Sequence, residues 1–425
     1  MDRDTSDWKP LKMVHGQATE YGWVPFWPAQ ISIGTGVDIG SGTRLFGHHG
    51  ITIGDGTQIG GGCYLYSSDT EGGWAGPITI GQCANIGSGT RIFPNVTIGD
   101  GARIAAMSMV KAGTTIPPGE LWAGCPAQPK HNIYVITGGT GSIGRMVVER
   151  LLLDDTIDAI RVYSRDEAKQ AAMQAELERT HSGYDCTRIR YILGDVRDRA
   201  KLRRAFRGTS VVIHAAALKR VESCERSPDE AADINVNGSR MVASAAFDTN
   251  VKKVLLVSTD KAVNPTNAMG ATKLAAEKIY LAYNQWSNRP HFWVARLGNV
   301  LESRGSVLPT WREQAEHDKR IIVTNPDATR YFIKNEDVAT FILDTLERPP
   351  GLYVPDCAVM RIGDLAKAFA DKHSVAIEET ELRPGERMNE RLLSVEEAEA
   401  RGLSPEQYQS DKAKRLNVSQ IGELL

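Results

Sequence analysis

"NIYVITGGTGSIGRMVVERLL", residues 132–152, reads as an apolar strand, a glycine turn and an amphipathic helix. Gly138 permits the tight turn. Gly141, with Ser142 and Ile143 behind it, lets the backbone approach a pyrophosphate, and Gly144 lets the helix pack closely on its strand. A glycine triplet alone says little; set between a strand and a helix, it marks a dinucleotide site in a parallel α/β sheet.

The residues downstream keep that order. "RVYSRDEAK" (161–169) ends a strand with Ser164 and Arg165, and Lys169 follows one helical turn later. A hydroxyl, a guanidinium and an ammonium suit a 2′-phosphate, so NADP is expected before NAD. NAD stays open if Asp166 takes the ribose hydroxyls instead. "YILGDVRD" puts Asp195 and Val196 beside an adenine, and "VVIHAAALKRV" opens a strand into Ala215 and Ala216, where a nicotinamide ribose could lie against backbone. "KKVLLVSTDKAVNP" is a buried strand ending in Ser258, Thr259, Asp260 and Lys261, at the edge where such sheets bind ligands. The helix "MGATKLAAEKIYLAY" then supplies Lys273.

The G-x-x-G-x-x-G spacing resembles the extended short-chain dehydrogenase/reductases. That family usually carries Tyr-x-x-x-Lys, and here Met269 stands at the Tyr position. With its Thr-Asp-Lys triplet, the segment 131–395 is similar to bacterial UDP-N-acetylglucosamine 4,6-dehydratases, a group in which Met also replaces Tyr. The resemblance implies a Rossmann-type domain with a small substrate lobe that oxidises C4 of a sugar nucleotide, expels water across C5–C6 and returns the hydride to C6. It implies Asp260 as acid, Lys261 as base with its pKa lowered by neighbouring charge, Thr259 as relay for the C4 proton, and Lys273 as a ligand of the nicotinamide ribose. Substrate contacts are expected from Lys219, Arg296, Asn299, Ser303, Arg304, Thr329 and Arg330. In "LRPGERMNE", Arg383 is expected to meet the diphosphate and Glu386 the uridine ribose. Residues 396–425 read as a charged, helical, peripheral tail.

Upstream of the proline-rich stretch "PPGELWAGCPAQPKHN" the pattern changes. Aliphatics recur every six residues at Ile33, Ile39 and Leu45, at Ile53, Ile59 and Leu65, and in one register from Ile80 through Ile86, Ile92, Ile98, Ile104 and Val110 to Ile116. A period of six fits neither helix nor simple strand. It fits a three-faced coil whose turns stack into a prism. Residues 24–129 resemble the left-handed β-helix hexapeptide acyltransferases, which implies a trimer, acetyl-CoA as co-substrate and a histidine base. The period breaks at "FGHHG" (46–50) and "YSSDTEGGWAGP" (66–77); His48 and His49 are the candidate bases. A working sugar acetyltransferase and a non-catalytic trimerising prism both remain open. Trimerising prisms joined to a dimerising dehydrogenase would give a hexamer.

The bulk numbers set the frame. A chain of 425 residues with 41% hydrophobic content and net charge −2 is expected to be a soluble multidomain protein without affinity for nucleic acid. No apolar run suggests a membrane span, and "MDRDTSDWKPLK" is no signal peptide. Six scattered cysteines suggest buried thiols in the cytoplasm and no metal site. Two rival readings use the same residues. One is a nucleotide-sugar 4-epimerase held together by the prism; the other is an acyltransferase scaffolded by a cofactor-bound Rossmann domain.

Overall fold

The computed structural model describes residues 12–69, 72–129, 132–286, 289–381 and 386–424. The chain divides into two units, Met1–His131 and Asn132–Leu425.

In the first unit the six-residue period becomes short strands shared among three sheets. The first sheet holds Val24–Phe26, Arg44–Phe46, Tyr64–Tyr66, Arg91–Ile92 and Met109–Val110. The other two are built the same way, every third strand pairing in parallel. One antiparallel strand, Ala127–Pro129, closes the third sheet. Arg91 pairs with Met109, one regular coil onward. The longer steps from Arg44 to Tyr64 and from Tyr64 to Arg91 contain the two breaks, so each break is an insertion after which the register resumes.

The predicted aliphatics point inward and are buried, except Ile33, which is half-buried. A second inward column escaped the sequence reading: Thr43, Thr57, Cys63, Ala84, Thr90, Val96, Ala102 and Ser108, two residues before each aliphatic. Its hydroxyls bond the wall itself, Thr43 Oγ1 donating to Gly60 O at 2.9 Å and Thr57 Oγ1 to Gly81 O at 2.7 Å. The core also reaches before residue 24, since Trp23 is fully buried in it.

The second unit is built on a seven-stranded parallel sheet: β1 (Ile133–Thr137), β2 (Ala159–Ser164), β3 (Ile189–Leu193), β4 (Val211–His214), β5 (Lys253–Thr259), β6 (His291–Leu297) and β7 (Leu352–Tyr353). Their spatial order is β3-β2-β1-β4-β5-β6-β7. Apolar strands such as β4, buried at every position, need helices on both faces. Helices α1 (Ser142–Leu152), α2 (Glu167–Thr180) and α3 (Ala268–Trp286) are among those that cover them. The strand order reverses between β1 and β4, and the crevice at the carboxyl ends there is where such sheets take ligands.

A lobe follows, with strands Thr329–Ile333 and Ala358–Arg361 and helices Val307–Asp318 and Ile362–His373 around Trp311, Ile321 and Phe369. The segment beyond 395 is no peripheral tail. Ile421 is fully buried in that lobe's core, and Glu397 reaches the buried Arg296. Nor are the cysteines uniformly buried: Cys63 and Cys224 are, but Cys83 and Cys125 are exposed. No helix among the described residues is long and apolar enough to cross a membrane.

Candidate active site

The glycine turn is built to let another group approach. A Cβ on Gly138, whose φ is +70°, would lie 2.6 Å from Ala216 N; one on Gly144 would lie 2.5 Å from Gly138 O. α1 begins at Ser142 after Gly141, and no side chain caps its first N–H groups. A cleft of about 370 Å³ lies beside this turn, lined by Thr140, Arg145, Asp166, Lys169, Glu176 and Arg304 among others. These features fit a dinucleotide whose pyrophosphate sits on α1.

Several residues differ from expectation around the turn. Ser164 is buried, and its hydroxyl accepts from Gln170 Nε2 at 2.9 Å, so it faces the helix rather than a ligand. Asp166 caps α2, accepting from Lys169 N at 3.0 Å, and also pairs with Lys169 Nζ at 2.6 Å. That leaves Arg165 exposed at the end of β2. Asp195 is tied to Arg197 at 2.8 Å, and Val196 is buried under Gly238. Lys219 and Arg304, expected at the substrate, belong to this side instead. Lys219 Nζ donates to Arg304 O at 2.7 Å, and Arg304 N donates to Ser142 Oγ at 3.0 Å. The reason is local: after Val300 the chain folds back over the start of α1, and Ser303 sits in that turn, its N–H bonded to Val300 O.

The chemistry-bearing residues converge at the end of β5. Asp260 is fully buried. Its Oδ1 accepts from Thr259 Oγ1 at 2.8 Å and from Lys261 Nζ at 2.9 Å, while Oδ2 has no hydrogen-bond partner among the described residues. Lys261 also reaches Asn299 Oδ1 at 3.4 Å and lies 3.8 Å from Glu390 Oε1. Burial pulls the Lys261 ammonium down, but Asp260 and Glu390 more than offset it, so its pKa is raised. The expectation of a lowered pKa is therefore overturned, because two carboxylates face the amine. Lys273 behaves the other way. It is buried, its Nζ donates to Val257 O at 2.6 Å, and burial brings its pKa down to about 8 against the pull of Glu277. Met269 plays no polar part and packs with Cys224 and Ala231. Asn235, in a π-helical stretch Asp233–Asn237, pins the residues after β4 by bonding both backbone groups of Leu218 and Thr272 Oγ1.

Other expected substrate contacts are structural. Arg296 is buried between Glu277 at 2.6 Å and Glu397 at 2.7 Å. Thr329 is buried and bonds Asn389 and Ser410. Arg330 donates to the carbonyls of Thr329, Arg387 and Met388, holding the 386–390 segment. Glu386 is exposed, and Arg383 lies outside the described residues. Two residues of the same segment were missed. Arg387 donates to Val263 O at 2.8 Å and Thr266 Oγ1 at 3.1 Å, and Glu390 is buried beside Lys261. Only their presence in "GERMNE" could have drawn attention to them.

In the first unit, His48 and His49 are exposed at the first insertion, His48 Nδ1 lying 3.0 Å from His49 Nε2. Ser67 from the second insertion accepts from His49 N at 2.8 Å. The ring of Trp27 stands edge-on to His48. The two insertions thus meet, and both histidines lie where they do.

A family profile described as "Polysaccharide biosynthesis protein" matches residues 134–411. The chain is 38% identical over 306 residues to a UDP-N-acetylglucosamine 4,6-dehydratase (inverting) of Campylobacter jejuni, covering 69% of this chain and 89% of that protein. It is 35% identical over 330 residues to a UDP-glucose 4-epimerase of Rickettsia akari, covering 68% and 94%. Among solved structures, Pen from Bacillus thuringiensis superposes with a TM-score of 0.64 at 29% identity, covering 69% of this chain and 97% of that one. By profile and by relatives alike, the chain belongs to the polysaccharide biosynthesis protein family.

Proposed function

We propose that the second unit is a nucleotide-sugar 4,6-dehydratase acting on UDP-N-acetylglucosamine. The observation that carries this reading is the pair of buried Asp260 and half-buried Lys261 at 2.9 Å, with Thr259 bonded to the same carboxylate. A 4-epimerase needs no acid to expel a C6 hydroxyl; an elimination needs an acid and a base together. The Thr259 hydroxyl relays the C4 proton out of the site, which the thioether of Met269 cannot do. The bound nicotinamide supplies a hydride acceptor and donor. Lys273 holds its ribose and favours proton loss nearby. Lys261 takes the C5 proton as Asp260 gives one to the C6 oxygen, which leaves as water. That leaves ammonium and carboxylate, the resting pair; as a hydride returns to C6, Lys261 gives a proton to C5 and regains one from solvent, which balances the proton lost from C4. Asn299 steadies Lys261, and Arg383 and Glu386 serve the diphosphate and the uridine ribose.

NADP is the preferred cofactor, since Arg165 is exposed at the end of β2 while Asp166 is neutralised by Lys169. For the first unit the reading is a left-handed β-helix of the hexapeptide acyltransferase kind that makes the chain a trimer or hexamer. His48 and His49 are candidate bases for acetyl transfer from acetyl-CoA to an amino sugar. The test is mass spectrometry of UDP-N-acetylglucosamine incubated with the protein in heavy water. Loss of one water with deuterium gained at C5 supports the dehydratase. An isomer of unchanged mass would replace it with the epimerase reading.

A further inference from the structure

Glu390 stands beside the reacting pair without a step of its own. It is 3% exposed. Its backbone N–H donates to Ser410 Oγ at 2.9 Å, which fixes it on the lobe side of the crevice. Its Oε1 lies 3.8 Å from Lys261 Nζ; its Oε2 lies 3.9 Å from Arg387 and has no hydrogen-bond partner among the described residues. Asp260 Oδ2 is in the same condition. The charged groups facing Glu390 are Lys261, Asp260, Arg330 and Arg387. Burial raises its pKa, Asp260 adds to the rise, and the three cations oppose it without reversing it. Lys261 thus stands between two buried carboxyls, 2.9 Å from Asp260 Oδ1 and 3.8 Å from Glu390 Oε1.

We propose that Glu390 is a positioning residue that governs where the single proton of the Lys261–Asp260 pair resides. The inference rests on the dehydratase reading. Elimination needs Lys261 as free amine and Asp260 as acid. The resting pair reaches that form when one proton passes from Lys261 Nζ to Asp260 Oδ1 along their hydrogen bond, with no proton gained or lost. An ionised Glu390 at 3.8 Å stabilises the ammonium and opposes this transfer; a protonated Glu390 releases it.

The test compares the full chain with Glu390→Gln, a neutral isostere. Nuclear magnetic resonance of lysine labelled at Cε, with the Lys261 signal identified by its loss in Lys261→Arg, gives the titration midpoint of that amine without any turnover. Glu390→Gln lowers the midpoint by about one pH unit or more, while the Lys273 signal stays put. Glu390→Asp, which withdraws the charge without removing it, lowers it less; it also serves if the glutamine variant fails to fold. Turnover adds a second readout. The ratio of Glu390→Gln to wild-type kcat starts near one in acid and climbs about tenfold for each unit by which the midpoint falls, with KM unchanged. Coincident Lys261 midpoints, or a kcat ratio flat with pH, overturn the proposal. A midpoint shift in a protein that dehydrates nothing would sink the dehydratase reading and leave the coupling standing.

Discussion

The two units satisfy their buried polar groups in opposite ways. In the first unit, Thr43, Thr57 and Thr90 each donate to a backbone carbonyl, and Cys63 Sγ does the same toward Gly87 O. Among the described residues, every buried side-chain nitrogen or oxygen without a hydrogen-bond partner belongs to the second unit, and three of them, Ser258 Oγ, Asp260 Oδ2 and Glu390 Oε2, stand at or beside the end of β5. Unpaired buried groups cost stability. A repeat solves the problem once and copies the solution. A reaction site holds polar groups in reserve for a ligand, and the cost falls on the rest of its fold.

That contrast can be broken or sharpened experimentally. Asp260→Asn removes the acid but keeps the shape. Dehydration should fall by about 10²–10⁴-fold in single-turnover assays, while denaturant unfolding hardly moves; a large loss of stability would mean the carboxylate serves the fold. Arg296→Met strands the buried Glu277 and should destabilise the second unit by about 3–5 kcal/mol, read from its denaturant midpoint. Ile92→Ala opens a cavity in a wall that cannot collapse, at a cost of about 3 kcal/mol; a loss well under 1 kcal/mol would show that the coils close up. Lys273 provides a pH test. Its folded pKa, about 8, lies below the unfolded value, so the unfolded chain binds more protons between pH 8 and 10. Stability conferred by this group therefore rises with pH across that window, and Lys273→Met should abolish the rise. The smallest effect is expected from Arg165→Ala: NADP affinity weakened roughly tenfold and NAD affinity unchanged, by calorimetry. Equal losses for both would assign Arg165 to the adenine.

What could be read from the sequence divides along the same line. The aliphatic column was legible because Ile86, Ile92 and Ile98 repeat locally and identically. The column at Thr57, Cys63 and Ala84 was not, since small residues of mixed polarity carry no hydrophobic signal. In the second unit, Gly138 to Gly144 and Thr259 to Lys261 were legible because strand, turn and chemistry are contiguous. The errors arose where a partner comes from elsewhere. Ser164 turns to Gln170, and Thr329 to Asn389 and Ser410. Lys261 is held charged in part by Glu390, which arrives from an irregular segment far along the chain. Charge balance in a buried site is a property of the assembled crevice, which no local window contains.

The clamp on Arg296 also has a meaning in time. Its guanidinium sits on β6, while Glu397 comes 101 residues later. At about 5–20 residues per second, a ribosome takes about 5–20 seconds to make that stretch. Through that interval the nascent sheet has only Glu277 to hold a cation in its core. Chain made well after β6 is therefore what completes this clamp, and a chaperone able to shield β6 for some seconds would meet its greatest need there.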